Sequence, residues 1–215
     1  MGAALKKEKK NAKKPPSALR RAGRIVLLIP LLLLLALGAG VFLDKSVYKT
    51  ESRLYPRKYI ALVEDASART GVPESVIYAV IRTESNFKED AVSWANAMGL
   101  MQLTYDTYDW VYFRRGQTAD HDTILIPSYN IDAGCALLEW LWNRYGDWEL
   151  VYAAYNAGFG RVDKWLSDPG ITENGKLVHI PINETETYVK YVKAAEEAYR
   201  TLYAGDINMH VKPQS

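Results

Sequence analysis

Val80-Ile81-Arg82-Thr83-Glu84-Ser85-Asn86-Phe87, followed after a polar connection by Ala97-Met98-Gly99-Leu100-Met101-Gln102, is the stretch around which the chain is organised. Upstream, Pro73 and Glu74 read as a helix start, because proline suits the first helical position and an acid suits the positive end of the helix dipole. Along that helix Ile77, Val80, Ile81 and Glu84 fall at i, i+3, i+4 and i+7. This spacing puts the Glu84 carboxyl at the end of the apolar face. Burial there disfavours the charged form and raises the pKa, and a positioned carboxyl that keeps its proton near neutral pH is suited to general acid catalysis. The alternative is a solvated first charge beyond the core, or a partner for a neighbouring arginine.

Outward from this stretch the periodicity stays helical. Tyr59, Leu62, Val63 and Ala66 predict a helix over residues 56–69, stopped at Gly71. Residues 86–98, with Ser93 and Trp94 in the middle, read as a connection, and residues 100–108 as helix after Gly99. Residues 112–128 read as loop, with Ile124, Leu125 and Ile126 as a short extended segment. Helices follow over residues 128–145, 148–155 and 160–166, the first stopped by Gly146. Pro169-Gly170 and Asn174-Gly175 mark a loop over residues 167–182 with room for a small hairpin. The last helix, residues 184–203, carries Tyr188, Val192, Ala195, Tyr199 and Leu202 on one face. With no alternating strand series and no internal repeat, the fold class is mainly α.

The 215 residues, 48% of them hydrophobic, suffice for one domain with a substantial core. The net charge of +2 conceals a division. Residues 1–24 hold nine Lys or Arg and one Glu, whereas the remainder is acidic, so no domain-wide nucleic-acid surface is expected. Residues 25–43 are a Leu-dominated run without a charge, the length of a bilayer-spanning helix. With the basic cluster before it and Asp44 after it, the predicted topology is a cytoplasmic basic tail over 1–24, a transmembrane signal anchor over 25–43 and a polar stalk over 44–55. The globular part, 56–204, would lie on the outer side, followed by a polar tail over 205–215. A cleaved signal peptide is the alternative, since Gly38-Ala39-Gly40 offers small residues, but the run exceeds the usual apolar region of such peptides. Cys135, the single cysteine, sits on an apolar stripe with Ile131, Leu138 and Trp142 and reads as a small buried residue. His121, His179 and His210 show no ligand spacing, and neither a metal nor a cofactor is implied.

Four motifs occur in order: Glu84-Ser85, Gly99-Leu100-Met101-Gln102, Ala154-Tyr155-Asn156-Ala157-Gly158, and Glu184-Thr185 followed by Tyr188-Val189. Together they resemble the catalytic domain of the soluble-lytic-transglycosylase (SLT-type) family, over about residues 55–203. The resemblance implies a lysozyme-like fold and cleavage of the β-1,4 bond between N-acetylmuramic acid and N-acetylglucosamine in peptidoglycan. In the family one glutamate, here Glu84, acts first as acid and then as base, and the C6 hydroxyl of the muramic acid closes a 1,6-anhydro ring. This accounts for the absence of a second acid in a recognisable motif, which most glycosidases need. Ser93 matches the position of a serine directed at the N-acetylmuramyl sugar. Gln102 matches a residue lining the cleft, where its amide suits a sugar hydroxyl or acetamido group, or else holds a loop. Tyr155 matches a tyrosine close to the catalytic carboxyl that tunes or relays its proton. Glu184 matches a substrate contact, although its position also fits a first-turn acid, and Tyr188 faces either the cleft or the core. The family often has proline where this chain has Tyr105.

The expected function is therefore a membrane-anchored murein lytic transglycosylase whose partners are glycan strands and, through residues 25–43, the membrane. A hydrolytic muramidase on the same fold and a non-catalytic peptidoglycan-binding scaffold are the alternatives. The combination of Glu84, Gln102 and Tyr155 argues against the scaffold, because a binder has no use for the acid.

Overall fold

The computed structural model describes residues 50–173 and 176–207. The expected basic tail, the transmembrane segment 25–43 and the first half of the stalk, 44–49, lie outside the described residues, as does most of the expected C-terminal tail. Among the described residues no helix is long and apolar enough to cross a membrane. Among the described residues, 50–54 are helical, and seven further α-helices follow: α1 (Ile60–Thr70), α2 (Glu74–Ser85), α3 (Tyr105–Arg114), α4 (Pro127–Tyr145), α5 (Trp148–Ala157), α6 (Phe159–Leu166) and α7 (Asn183–Leu202). A 3-10 turn, His121–Thr123, precedes α4, and a two-stranded antiparallel hairpin pairs β1 (Thr172–Glu173) with β2 (Lys176–Leu177) between α6 and α7. The mainly α expectation holds.

Helix α2 is the centre. Every residue from Glu74 to Ile81 is buried, so the helix has no solvated face over its first two turns. The charge-free run Ser75-Val76-Ile77-Tyr78-Ala79-Val80-Ile81 is what allows this, since a helix apolar all round belongs inside a core. Helix α7 makes its most extensive packing against α2, through Tyr188, Val192, Ala195 and Tyr199. Helix α5 packs beside α7, α6 packs on α5, and α4 runs across α1 and α5. Helix α2 leaves the core near its end, where Arg82, Thr83 and Glu84 become partly exposed. Glu84 thus stands where the central helix emerges.

Four expectations from the sequence need correction. The first helix starts at Ile60, not residue 56, because the Pro56 carbonyl accepts a hydrogen bond from the Tyr199 hydroxyl at 3.0 Å. Arg57 lies over the Tyr78 and Tyr203 rings and pairs with Glu74, and Tyr59 turns the chain with a φ of 56°. Residues 100–103 are not helical. Met98 bridges Val92 on one side and Leu103 on the other, and α3 begins only after Thr104, whose side chain caps the Thr107 amide. Residues 124–126 are a turn leading into α4, not an extended segment. Pro73 also sits at the N-cap of α2, one position earlier than expected. Cys135 is buried as expected, and burial pushes its thiol far above the ordinary range, which leaves it inert.

Candidate active site

Positive φ angles cluster along the segment that follows α2. Asn86 (48°), Phe87 (62°), Asn96 (58°), Gly99 (79°) and Gln102 (49°) all occupy the left-handed region, which costs a residue with a side chain free energy and persists only where surrounding contacts over-determine it. Those contacts are present. The Ser85 hydroxyl donates to the carbonyl of Leu100 at 2.8 Å, tying the end of α2 to the Gly-Leu-Met-Gln turn. Fully buried Asn130, on α4, accepts from the Met101 amide at 2.8 Å and donates to the carbonyls of Met98 and Ile124 at 3.0 and 2.7 Å. The Gln102 side-chain amide donates to the carbonyls of Ala91 and Gly99, both at 3.0 Å. The segment is a rigid wall beside Glu84.

Gly99 has a second constraint, because a Cβ added there would meet Asn130 Nδ2 at 2.4 Å. Asn130 has no freedom to withdraw without breaking its three bonds. Gly99→Ala is therefore expected to destabilise the domain by about 2–3 kcal/mol, combining the left-handed backbone with a clash. Gly146→Ala, with a similar φ of 62° and open space around it, isolates the backbone cost at about 1 kcal/mol. Denaturant midpoints of the two variants check the difference.

The wall is one side of an open cleft. Glu84, Ser93, Trp94, Gln102 and Thr107 line it from the α2–α3 region, and Tyr155, Asn156, Gly158 and Glu184 line it from α5, its C-cap and the start of α7. The Thr185 hydroxyl donates to Asn156 Oδ1 at 2.7 Å, which ties the end of α5 to the start of α7. Five of the six residues singled out from the sequence, Glu84, Ser93, Gln102, Tyr155 and Glu184, line this one cleft. The sixth, Tyr188, lies behind it and is almost fully buried.

Tyr188 makes the contact that matters most to the carboxyl. Its hydroxyl donates to Glu84 Oε1 at 2.7 Å. Burial pushes the Glu84 carboxyl from the ordinary 4.5 up to about 7, against the opposing pull of this hydrogen bond, which favours the ionised form. Among the described residues no second carboxylate contributes to the shift. Burial also raises the Tyr188 and Tyr155 hydroxyls well above their ordinary range, so both stay protonated as donors. Tyr155, expected close to the carboxyl to tune or relay its proton, is near enough to Glu84 to feel its charge, and its hydroxyl donates to the Met101 carbonyl at 2.8 Å. Tyr188 supports the acid, and Tyr155 supports the turn.

The remaining polar groups divide between scaffold and cleft. Ser93 Oγ accepts from the Ala97 amide at 3.0 Å, which leaves its hydroxyl proton to donate. Gln102 spends its amide hydrogens on the wall, leaving its carbonyl oxygen as the acceptor. Glu184 is an exposed first-turn acid of α7 at the cleft edge. Sequence reasoning did not single out Trp94, whose ring is 95% exposed in this cleft. The only signal was a large aromatic within a polar loop. Among the described residues no group of three or more His, Cys, Asp or Glu side chains is arranged to hold a metal ion.

Against known families, residues 61–178, more than half of the chain, match the transglycosylase SLT domain. The chain belongs to this family. Its helices therefore form the lysozyme-like SLT fold, and solved structures agree. A lytic transglycosylase Slt from Pseudomonas aeruginosa, solved as an inactive mutant, is 32% identical with a TM-score of 0.61, over 70% of this chain and 25% of that one. The 70-kDa soluble lytic transglycosylase in complex with bulgecin A is 26% identical with a TM-score of 0.66, over 78% of this chain and 28% of that one. Among curated proteins, the membrane-bound lytic murein transglycosylase C of Shigella sonnei is 33% identical over 167 residues, 66% of this chain and 46% of the relative. That of Mannheimia succiniciproducens is 40% identical over 117 residues, 49% of this chain and 33% of the relative. The SLT-domain chain spans less than half the length of these relatives.

Proposed function

We propose that the chain is a membrane-anchored murein lytic transglycosylase that cuts the β-1,4 bond between N-acetylmuramic acid and N-acetylglucosamine and leaves 1,6-anhydro ends. The observation that carries this is Glu84, a single carboxyl raised to about 7 in a polar cleft with no second carboxylate coupled to it. Protonated on Oε2, with Oε1 engaged by Tyr188, Glu84 donates to the glycosidic oxygen. The bond to C1 breaks, the N-acetylglucosamine leaves with its C4 hydroxyl restored, and the neighbouring N-acetyl carbonyl supports the cationic sugar. Ionised Glu84, now stabilised by the Tyr188 hydroxyl, takes the proton of the C6 hydroxyl as that oxygen attacks C1. The carboxyl ends protonated as it began, and no water is consumed.

Ser93 and Gln102 orient the acetamido and hydroxyl groups against the rigid wall, Tyr155 holds the Met101 turn beneath them, and Glu184 contacts the strand from the other side. In this reading residues 1–24 are cytoplasmic, 25–43 cross the membrane, 44–55 are the stalk, and 56–204 form the catalytic domain on the cell-wall side, ahead of a tail over 205–215. The names of the relatives support a membrane-bound setting. The test is mass spectrometry of peptidoglycan digested by the detergent-solubilised chain. Anhydromuramyl products are expected, and they are expected to vanish in Glu84→Gln. Reducing-end muropeptides in their place would make the protein a hydrolytic muramidase.

A further inference from the structure

We propose that Trp94 is a sugar-stacking platform that holds the glycan strand in the Glu84 cleft, an inference that rests on the reading of the cleft as a glycan site. A tryptophan carries more apolar area than other side chains and is normally well covered, yet Trp94 is 95% exposed. No other ring and no cation of the described residues stacks on it, unlike Trp110, Trp140, Trp142 and Trp148, which all pair with neighbouring aromatics.

Its mount is rigid. Ser93 N–H donates to the Ala97 carbonyl at 2.9 Å, Ala97 N–H to Ser93 Oγ at 3.0 Å, and Asn96 N–H to the Ser93 carbonyl at 3.0 Å. The Val92–Met98 bridge and the Gly99 amide on the Ala91 carbonyl at 2.8 Å close the base of the loop. The small neighbours Ala95 and Ala97, which line the cleft with it, leave the indole open. A binding surface fixed in advance loses little entropy when a ligand arrives.

The position decides the ligand. The ring lines the cleft that contains Glu84, with Gln102, Asn156 and Glu184 among the polar groups around it. An N-acetylated pyranose has both surfaces this requires, an apolar face of C–H groups for the indole and an equatorial rim of hydroxyl and acetamido groups for the polar side chains. A lipid surface would use the ring and exposed Val92 but would leave the polar groups of the cleft without partners. Because the ring meets the same face of the sugar before and during bond cleavage, its contribution is to binding of substrate and transition state alike.

The test uses the detergent-solubilised full chain. In a Glu84→Gln background, binding of peptide-free peptidoglycan glycan strands is measured by calorimetry with and without Trp94→Ala, and with Trp94→Tyr. Trp94→Ala is expected to weaken binding roughly tenfold and Trp94→Tyr to retain most of it. With Glu84 restored, Trp94→Ala is expected to raise KM by roughly the same factor while kcat changes less than about twofold. Equal glycan affinity with and without the indole would overturn the proposal. So would a loss seen only with phosphatidylglycerol vesicles, which would make the ring a membrane contact. If the folded Glu84→Gln chain bound no glycan at all, the glycan reading of the cleft would fail, and the platform with it.

Discussion

Glu84→Gln is expected to lower glycan cleavage by about 10⁴-fold, the upper end of what a positioned general acid and base supplies, because the same carboxyl acts in both halves of the reaction. The same substitution is expected to stabilise the fold. Below pH 4.5 the carboxyl is protonated in both the folded and the unfolded chain, and it contributes no difference. As pH rises toward about 7, the unfolded chain ionises while the folded one keeps its proton, so folding becomes progressively less favourable. Above about 7 the full cost of holding the buried charge is present, about 3 kcal/mol at about 1.4 kcal/mol per pH unit. Gln is neutral throughout and still accepts from Tyr188. Thermal unfolding should therefore separate the two proteins at pH 8 and bring them together at pH 4. A variant that is inactive and no more stable at pH 8 would show that the carboxyl carries no burial cost.

The second large effect is expected at a residue outside the cleft. Tyr188 donates to the ionised carboxyl, so Tyr188→Phe removes the one described hydrogen bond that lowers the Glu84 pKa and leaves burial unopposed. A hydrogen bond to a charged group is worth about 1.5–3 kcal/mol, so the carboxyl moves up by about one pH unit or more. For the native protein, kcat/KM is expected to fall as pH rises through about 7, where the acid loses its proton. In Tyr188→Phe that fall moves to higher pH, and the rate below it drops roughly tenfold because ionised Glu84 has lost its support as a base. Tyr155→Phe leaves the carboxyl without a changed partner and should keep the native pH profile. Kinetics of the three proteins across pH 5–9 check both statements, and a pH profile unmoved in Tyr188→Phe would remove Tyr188 from the account.

The position of the acid was legible because helix periodicity is a local property. Ile77, Val80, Ile81 and Glu84 needed only their spacing, and the end of the helix was marked by the polar residues beyond it. The same rule failed at residues 100–103. Their apolar character is that of a helix, but their conformation is set by Gly99, Gln102 and the distant Asn130, whose three hydrogen bonds to this region no local pattern announces. Pro56 and Arg57 failed in the same way, since Tyr199, Tyr203 and Glu74 hold them from far along the chain.

The division of labour between the two tyrosines was hard to read for a related reason. Both belong to motifs of the resemblance, but Tyr188 also lies on the apolar face of its helix and so reads as either cleft or core. It is both: its ring packs with the core and its hydroxyl reaches Glu84. Had α7 been laid against α2, the pairing of Tyr188 with the only acid at the end of that helix would have followed. Trp94 was missed because exposure depends on the loop's closure, and sequence carries no statement of that.

The central claim is that Glu84 holds its proton to near neutral pH, and it can be read on the residue itself. Carbon-13 NMR of glutamate side-chain carboxyls, followed from pH 3 to 9 in the full chain and in Glu84→Gln, reports each titration separately. The account predicts one carboxyl with a midpoint of about 7 that is missing from the variant. If the signal lost in the variant instead titrates near the ordinary 4.5, Glu84 is ionised at neutral pH and the single-acid mechanism is contradicted.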